Sequence, residues 1–132
     1  MTCLEDTYWY VAKMANKNDY TIIHSIVQRH SDKLRHPHAV VYNKKKGMIL
    51  EVSNDFKNNI IEMPFMCWIK LGNVSNIIQY SFMEYNAKLL STEKWDFWDL
   101  IARNVLIVDT EVLGGKLENG EQRLKYNYSL KK

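Results

Sequence analysis

The sequence has few of the residues that mark several common classes of protein. It contains two cysteines, two prolines and five glycines in 132 residues. Cys3 and Cys67 cannot form the disulfide framework of a small secreted domain, and they lack the Cys-x-x-Cys spacing of a structural metal site. Low glycine and proline content, with 46% hydrophobic residues, argues against disorder. We therefore expect one globular domain over residues 1–132.

Long apolar runs are also missing. No segment approaches the roughly 20 consecutive apolar residues that a membrane-spanning helix needs. The first residues, MTCLEDTYWYVAK, lack the basic start and apolar run of a signal peptide. These features predict a soluble cytoplasmic protein with reduced cysteines and no membrane partner.

Charge of one sign is not concentrated along the chain. The 18 lysines and arginines against 15 acidic residues give a net charge of +3. A nucleic-acid-binding domain usually gathers its basic residues on one face. The run from Lys44 to Lys46 is more typical of a solvated turn, so the sequence does not favour nucleic acid as a partner.

Hydrophobic periodicity predicts an α+β fold. Apolar residues three and four apart predict a helix from Leu4 to about Asn16, with Thr2 as its N-cap. β-branched residues predict a strand from Tyr20 to Val27, and a polar loop follows. Two β-prone runs, His38–Tyr42 and Met48–Val52, are joined by a short connection ending in glycine, which predicts a hairpin.

The second half of the chain continues the mixed pattern. The segment NNIIEMPFMCWIKLG has no single period and is compatible with a short helix or an irregular packed segment. The other predicted elements are a strand at Val74–Tyr80, a helix at Ser81–Leu90 with a Ser81–Glu84 capping box, a short helix at Trp95–Arg103, a strand at Val105–Val108 and a terminal hairpin.

Cys3 and His38 are the first candidates for chemistry. A cysteine at a helix N-terminus is well placed to become a thiolate, because the exposed backbone N–H groups there stabilise negative charge. Thiol catalysis also needs a base and an acceptor that orients the base. His38 opens a predicted strand, and a position near 52 on the partner strand lies opposite it. Glu51 and Ser53 are therefore near the imidazole, and the exact register stays open.

The order of these motifs resembles the transglutaminase-like and NlpC-like branch of the papain-fold cysteine enzymes. The matching segments are CLEDTYWYV, TIIHSIV, PHAVVY and GMILEVSN, with IIQYSFMEYNAKLL and KWDFWDL similar to the later part of small bacterial and phage members. The resemblance covers about residues 3 to 99. It implies a papain-like core with the N-terminal helix packed on an antiparallel sheet of roughly four to six strands. It also implies a catalytic triad of Cys3, His38 and Glu51.

Some positions depart from that family. Glu51 stands where an aspartate is more usual, and Val40 stands where an aromatic residue is more usual. No glutamine precedes the nucleophile, so the amide of Cys3 or Leu4 would have to serve in an oxyanion hole. Asn54 is the reserve residue for orienting His38.

Other side chains are assigned structural roles. His24 lies mid-strand and is expected to be a packed, hydrogen-bonded histidine. His30 and His36 do not show the tight ligand pairs of a zinc site, so we expect neither metal nor cofactor. Cys67 is expected to be a buried small hydrophobe. The aromatic group Trp95, Phe97 and Trp98 is expected in the core rather than in a substrate groove.

The sequence thus favours a cysteine hydrolase or acyltransferase acting on a protein or peptide. Peptidase, amidase, deamidase and transglutaminase differ only in substrate and acceptor, and the sequence does not choose among them. The alternative is a non-catalytic binding protein on the same fold, such as a phage or mobile-element factor that acts on a host protein.

Overall fold

A computed structural model describes residues 2–28, 30–52, 60–109 and 127–131. Within these ranges the chain is α+β, as predicted, with helices and an antiparallel sheet. The helices are α1 (Cys3–Ala12), α2 (Phe65–Leu71), α3 (Phe82–Thr92) and α4 (Trp98–Ala102). The strands are β1 (Tyr20–Gln28), β2 (Arg35–Asn43), β3 (Met48–Glu51), β4 (Ile61–Pro64), β5 (Ser75–Ser81), β6 (Leu106–Asp109) and β7 (Asn127–Leu130), and a 3-10 turn spans Lys17–Asp19.

The main sheet has five strands in the order β4-β3-β2-β1-β5, and each neighbouring pair is antiparallel. Strand β1 is central enough to be buried along almost its whole length. Successive side chains of a strand point to opposite faces of its sheet. Ile22 and Ile23 therefore pack into two different cores, and so do Val40 and Val41.

The larger core lies between the sheet and helices α1, α3 and α4. Leu4 and Val11 of α1 pack there with Ile22 and Val41 of the sheet. The two-stranded sheet of β6 and β7 adds Leu106, which is buried, and Leu130, which is partly buried. The N-terminal helix is thus packed on the antiparallel sheet, as the sequence predicted.

The smaller core covers the other face of the sheet. Trp68 of α2 is buried there against Ile23, Val40 and Ile49. The segment that sequence periodicity left open contains β4 followed directly by α2, and Pro64 lies at the junction. Apolar residues from a strand and a short helix explain why that segment shows no single period.

Local sequence signals place several element ends. The Thr2 side chain accepts a hydrogen bond from the Glu5 amide, which confirms Thr2 as the N-cap of α1. Ser81 and Glu84 form the predicted capping box at the start of α3. The exposed lysines Lys44–Lys46 form the turn between β2 and β3, where Gly47 has a φ of 68° that favours glycine.

The structure corrects several predicted boundaries. Helix α1 ends at Ala12 rather than near Asn16, and a turn leads into the 3-10 segment. Strand β2 begins at Arg35, so His38 lies inside the strand and does not open it. Helix α4 begins at Trp98, not Trp95. Strands β6 and β7 pair as the predicted terminal hairpin would, and residues 110–126 between them lie outside the described residues.

No helix within the described ranges combines the length and apolarity needed to cross a membrane.

Candidate functional site

The clearest polar contact of the proposed triad joins His38 on β2 to Glu51 at the end of β3. The Nε2 atom of His38 lies 2.7 Å from Oε1 of Glu51 and 2.9 Å from Oε2. The two side chains are only 19% and 15% exposed. A half-enclosed imidazole held by both oxygens of one carboxylate has its ring orientation fixed.

Strand register explains how this contact arises. The β2–β3 pairing sets Val41 opposite Leu50, and one further step sets Val40 beside Glu51. His38 is two residues further along β2, so it is the diagonal neighbour of Glu51 on the same face. Ser53 and Asn54, the other predicted neighbours, lie outside the described residues.

Cys3 is the first residue of α1 and is partly buried against the larger core. Several contacts hold its backbone. The Thr7 hydroxyl donates to the Cys3 carbonyl at 2.9 Å, and the Asp6 amide donates to the Thr2 carbonyl at 3.0 Å. The first backbone amides of α1 that donate to an N-cap or helix acceptor are therefore those of Glu5 and Asp6. The amides of Cys3 and Leu4 come before them in the chain.

The electrostatics of His38 link the three predicted residues. Burial by itself lowers the pKa of His38, but hydrogen bonds with the side chains of Cys3 and Glu51 and the charges of both groups raise it to about 10. An imidazole with that pKa is protonated at neutral pH. The structure therefore places Glu51 on Nε2 of His38, and the effect of Cys3 on the pKa of His38 indicates that the thiol lies near the same ring.

His24 is a packed histidine, as expected. It is fully buried, and its Nε2 lies 2.9 Å from the hydroxyl of Tyr85. Rings of Tyr80, Tyr85, Phe97 and Trp98 surround it at centroid distances of 4.9 to 5.6 Å. This burial lowers the pKa of His24 to about 3, which leaves the ring neutral and unsuited to take part as a general base near pH 7.

The other side chains that the sequence analysis considered differ in how deeply they are buried. Phe97 and Trp98 are buried in the larger core and Trp95 is partly buried against it, as predicted. The prediction that Cys67 is buried is wrong, because α2 directs Trp68 into the smaller core and leaves Cys67 exposed. Among the described residues, His30 and His36 included, no group of three or more possible ligands could hold a metal ion.

Two polar residues received no functional role from the sequence. Ser25 pairs with His38 across β1 and β2, and its hydroxyl is buried without a hydrogen-bond partner among the described residues. Arg35 begins β2 and lines a cavity described below. The strand pattern around Ser25 gave a signal for burial, but only the β1–β2 register shows its neighbour.

No protein-family model, curated protein or solved structure matches this chain. The interpretation of the site accordingly depends on the geometry of its own residues.

Proposed function

We propose that the protein is a thiol-dependent acyl-transfer enzyme with Cys3 as nucleophile, His38 as its acid and base, and Glu51 as the residue that orients His38. The observation that carries the proposal is the 2.7 Å contact of the His38 imidazole with the Glu51 carboxylate, together with the influence of the helix-start Cys3 on the pKa of the same ring. Nucleophile, base and orienting group are the three components that thiol catalysis requires. The proposal includes a papain-like, transglutaminase-like core and a reducing cytoplasmic environment that keeps Cys3 as a thiol.

The first half-reaction follows from these roles. At neutral pH His38 already holds the proton of the Cys3 thiol, and the Cys3 thiolate attacks the carbonyl carbon of an amide or ester. His38 then gives its proton to the leaving amine or alcohol as the bond from carbon to that group breaks. The products of this step are a thioester on Cys3 and the free leaving group.

The second half-reaction restores the enzyme. The neutral His38 ring removes a proton from water or from an acceptor amine as that molecule attacks the thioester carbon. The carbon–sulfur bond then breaks. The protonated His38 either returns its proton to the departing Cys3 thiolate or stays beside it as an ion pair. Water gives hydrolysis or deamidation, and an amine gives transfer, so the acceptor decides which reaction is observed.

Stabilisation of the oxyanion is assigned to the start of α1. The amides of Cys3 and Leu4 precede the first intrahelical contacts, and helix N-termini favour negative charge. Thr2 and Thr7 fix the turn that carries these amides. This arrangement favours a carbonyl substrate approaching the N-terminal end of α1.

Reaction with p-nitrophenyl acetate tests the proposal without knowledge of the natural substrate. We expect a stoichiometric release of p-nitrophenol and an acetyl group on Cys3, located by peptide mass spectrometry. Cys67 is the internal control, because it is exposed on α2 and takes no part in the proposed triad. His38→Ala should slow acylation by about a hundredfold or more, the usual loss of general acid–base catalysis.

Two outcomes would contradict the proposal. Acylation of Cys67 in preference to Cys3 would show that exposure alone governs reactivity. Equal acylation of Cys3 in wild type and His38→Ala would show that the imidazole does not activate the thiol. Either result would favour the alternative of a non-catalytic binding protein on this fold.

A further inference from the structure

A cavity of about 340 Å³ lies where the C-terminal hairpin meets the main sheet, apart from the Cys3 contacts described above. Its volume falls in the range of small-molecule sites, roughly 300–1,000 Å³. Ile26 and Leu130 contribute apolar wall, and Arg35 and Lys131 contribute positive charge. None of the described residues that line it carries a carboxylate.

Arg35 is held in place before any ligand arrives. One guanidinium N–H donates to the Asn73 carbonyl at 2.8 Å, and another donates to the Ser75 hydroxyl at 2.6 Å. Both acceptors are uncharged, so the positive charge of Arg35 is not neutralised by them. Within the described ranges neither Arg35 nor Lys131 forms an ion pair.

A β-bulge in β5 interrupts the regular strand pairing beside the cavity. The β1–β5 pairing passes from His24 opposite Ile78 to Ile26 opposite Ser75, so β5 has one extra residue at this point. Bulges of this kind are common beside functional sites, where they redirect a side chain. Asn76 lies in the bulge with a φ of 57°, a left-handed conformation that costs free energy outside glycine.

Leu130 and Lys131, at the end of the last described segment, form a second wall of the cavity. The Lys131 amide donates to the Val105 carbonyl at 3.1 Å, and the Val105 amide donates to the Leu100 carbonyl at 3.0 Å. These bonds attach β7 and the residues before β6 to helix α4. Lys131 is therefore connected to the folded core at the same cavity that Arg35 lines.

We propose that this cavity binds the anionic group of a small ligand, a phosphate or a carboxylate, between the Arg35 guanidinium and the Lys131 ammonium. An oriented guanidinium presents planar N–H donors that match either oxyanion, and the lysine adds a second charge. Ser75 and Asn76 supply polar wall beside the guanidinium, with the Ser75 hydroxyl donating to Asn76 Oδ1 at 2.9 Å. The inference does not rest on the activity of Cys3.

Titration with inorganic phosphate and, separately, with acetate tests the site at constant ionic strength. We expect backbone amide NMR shifts at Asn76, Asn104 and Lys131 on addition of at least one anion. In Arg35→Gln and in Lys131→Gln the dissociation constant should rise about tenfold or more, as expected on losing a charge-assisted contact. A response to phosphate alone identifies a phosphate group, and a response to acetate alone identifies a carboxylate.

Lys45→Gln is the matched control, because Lys45 is an exposed lysine in the turn at the opposite end of β2. It should bind as the wild type does. Lys131→Gln alters an exposed side chain and should leave the fold intact, so it decides the result if Arg35→Gln unfolds. No shift with either anion, or an equal loss of binding in Lys45→Gln and Lys131→Gln, would overturn the proposal.

Discussion

At the residue scale, the side chains that carry the proposed chemistry were predictable from short motifs. A cysteine after an N-cap threonine, a histidine in a β-prone run and a glutamate late in the partner run are visible in the sequence. Their contacts were less predictable, because a hairpin register cannot be fixed from the two runs alone. The exposure of Cys67 could not be predicted either, since it depends on which face of α2 meets the sheet.

The proton held by His38 contributes to stability in a defined pH interval. The folded-state pKa of about 10 is above the ordinary histidine value of 6.5, so the folded chain binds this proton more tightly than the unfolded chain does. The resulting stabilisation is fully present below about pH 6.5. It is lost as the pH rises through about 10.

Glu51→Gln should lower the pKa of His38. An amide of similar size keeps the shape of the site but cannot stabilise the imidazolium by charge. We expect the His38 ring signals in a histidine NMR titration to move at lower pH in this variant than in the wild type. A wild-type His38 that titrates near pH 6.5, unchanged in Glu51→Gln, would contradict the described contact.

At the element scale, capping and turn residues predicted the ends of helices and strands better than hydrophobic periodicity did. The residues that set these ends act through local hydrogen bonds or a local φ angle, as Thr2, the Ser81–Glu84 pair and Gly47 do. Their effect can therefore be predicted from residues close together in the sequence. The start of β2 was missed because Arg35 to Pro37 are polar or conformationally restricted. They join the strand through pairing with the end of β1, a tertiary effect.

Ser81→Ala should destabilise the protein by about 1 kcal/mol, the usual loss for an N-cap serine. The Ser81 hydroxyl accepts from the Glu84 amide at 3.1 Å, and the Ser81 amide donates to the Glu84 carboxylate at 3.0 Å. Urea unfolding measures the free energy of unfolding.

Ser91→Ala is the control for that measurement. Ser91 is an exposed serine near the other end of α3, where its hydroxyl donates to the Lys88 carbonyl at 3.2 Å. Its loss should change stability by less than about 0.5 kcal/mol, as surface substitutions usually do. Equal losses in the two variants would show that the capping box does not set the stability of this helix.

At the scale of the whole molecule, the α+β class was predictable and the two-core arrangement was not. Near-continuous runs of apolar residues in β1 and β2 indicate strands buried on both faces, but the covering of the second face depends on α2, whose segment had no clear period. The anion cavity is also a property of the whole chain. It forms only where the terminal hairpin packs beside Arg35 and the β5 bulge.

The two cysteines of this molecule provide one measurement that tests the central claim most directly. Both are reduced, and they lie in contrasting surroundings: Cys3 is partly buried beside His38, and Cys67 is exposed on α2. An ordinary thiol with a pKa near 8.5 is less than about 1% thiolate at pH 6. Its alkylation at that pH is correspondingly slow.

The measurement is the rate of iodoacetamide alkylation of each cysteine from pH 5 to 9, followed by peptide mass spectrometry in wild type and His38→Ala. We predict that Cys3 reacts faster than the more exposed Cys67 at pH 6, and that His38→Ala reverses this order. A Cys3 that reacts more slowly than Cys67 at pH 6 in the wild type would contradict the account of Cys3, His38 and Glu51 as a catalytic site.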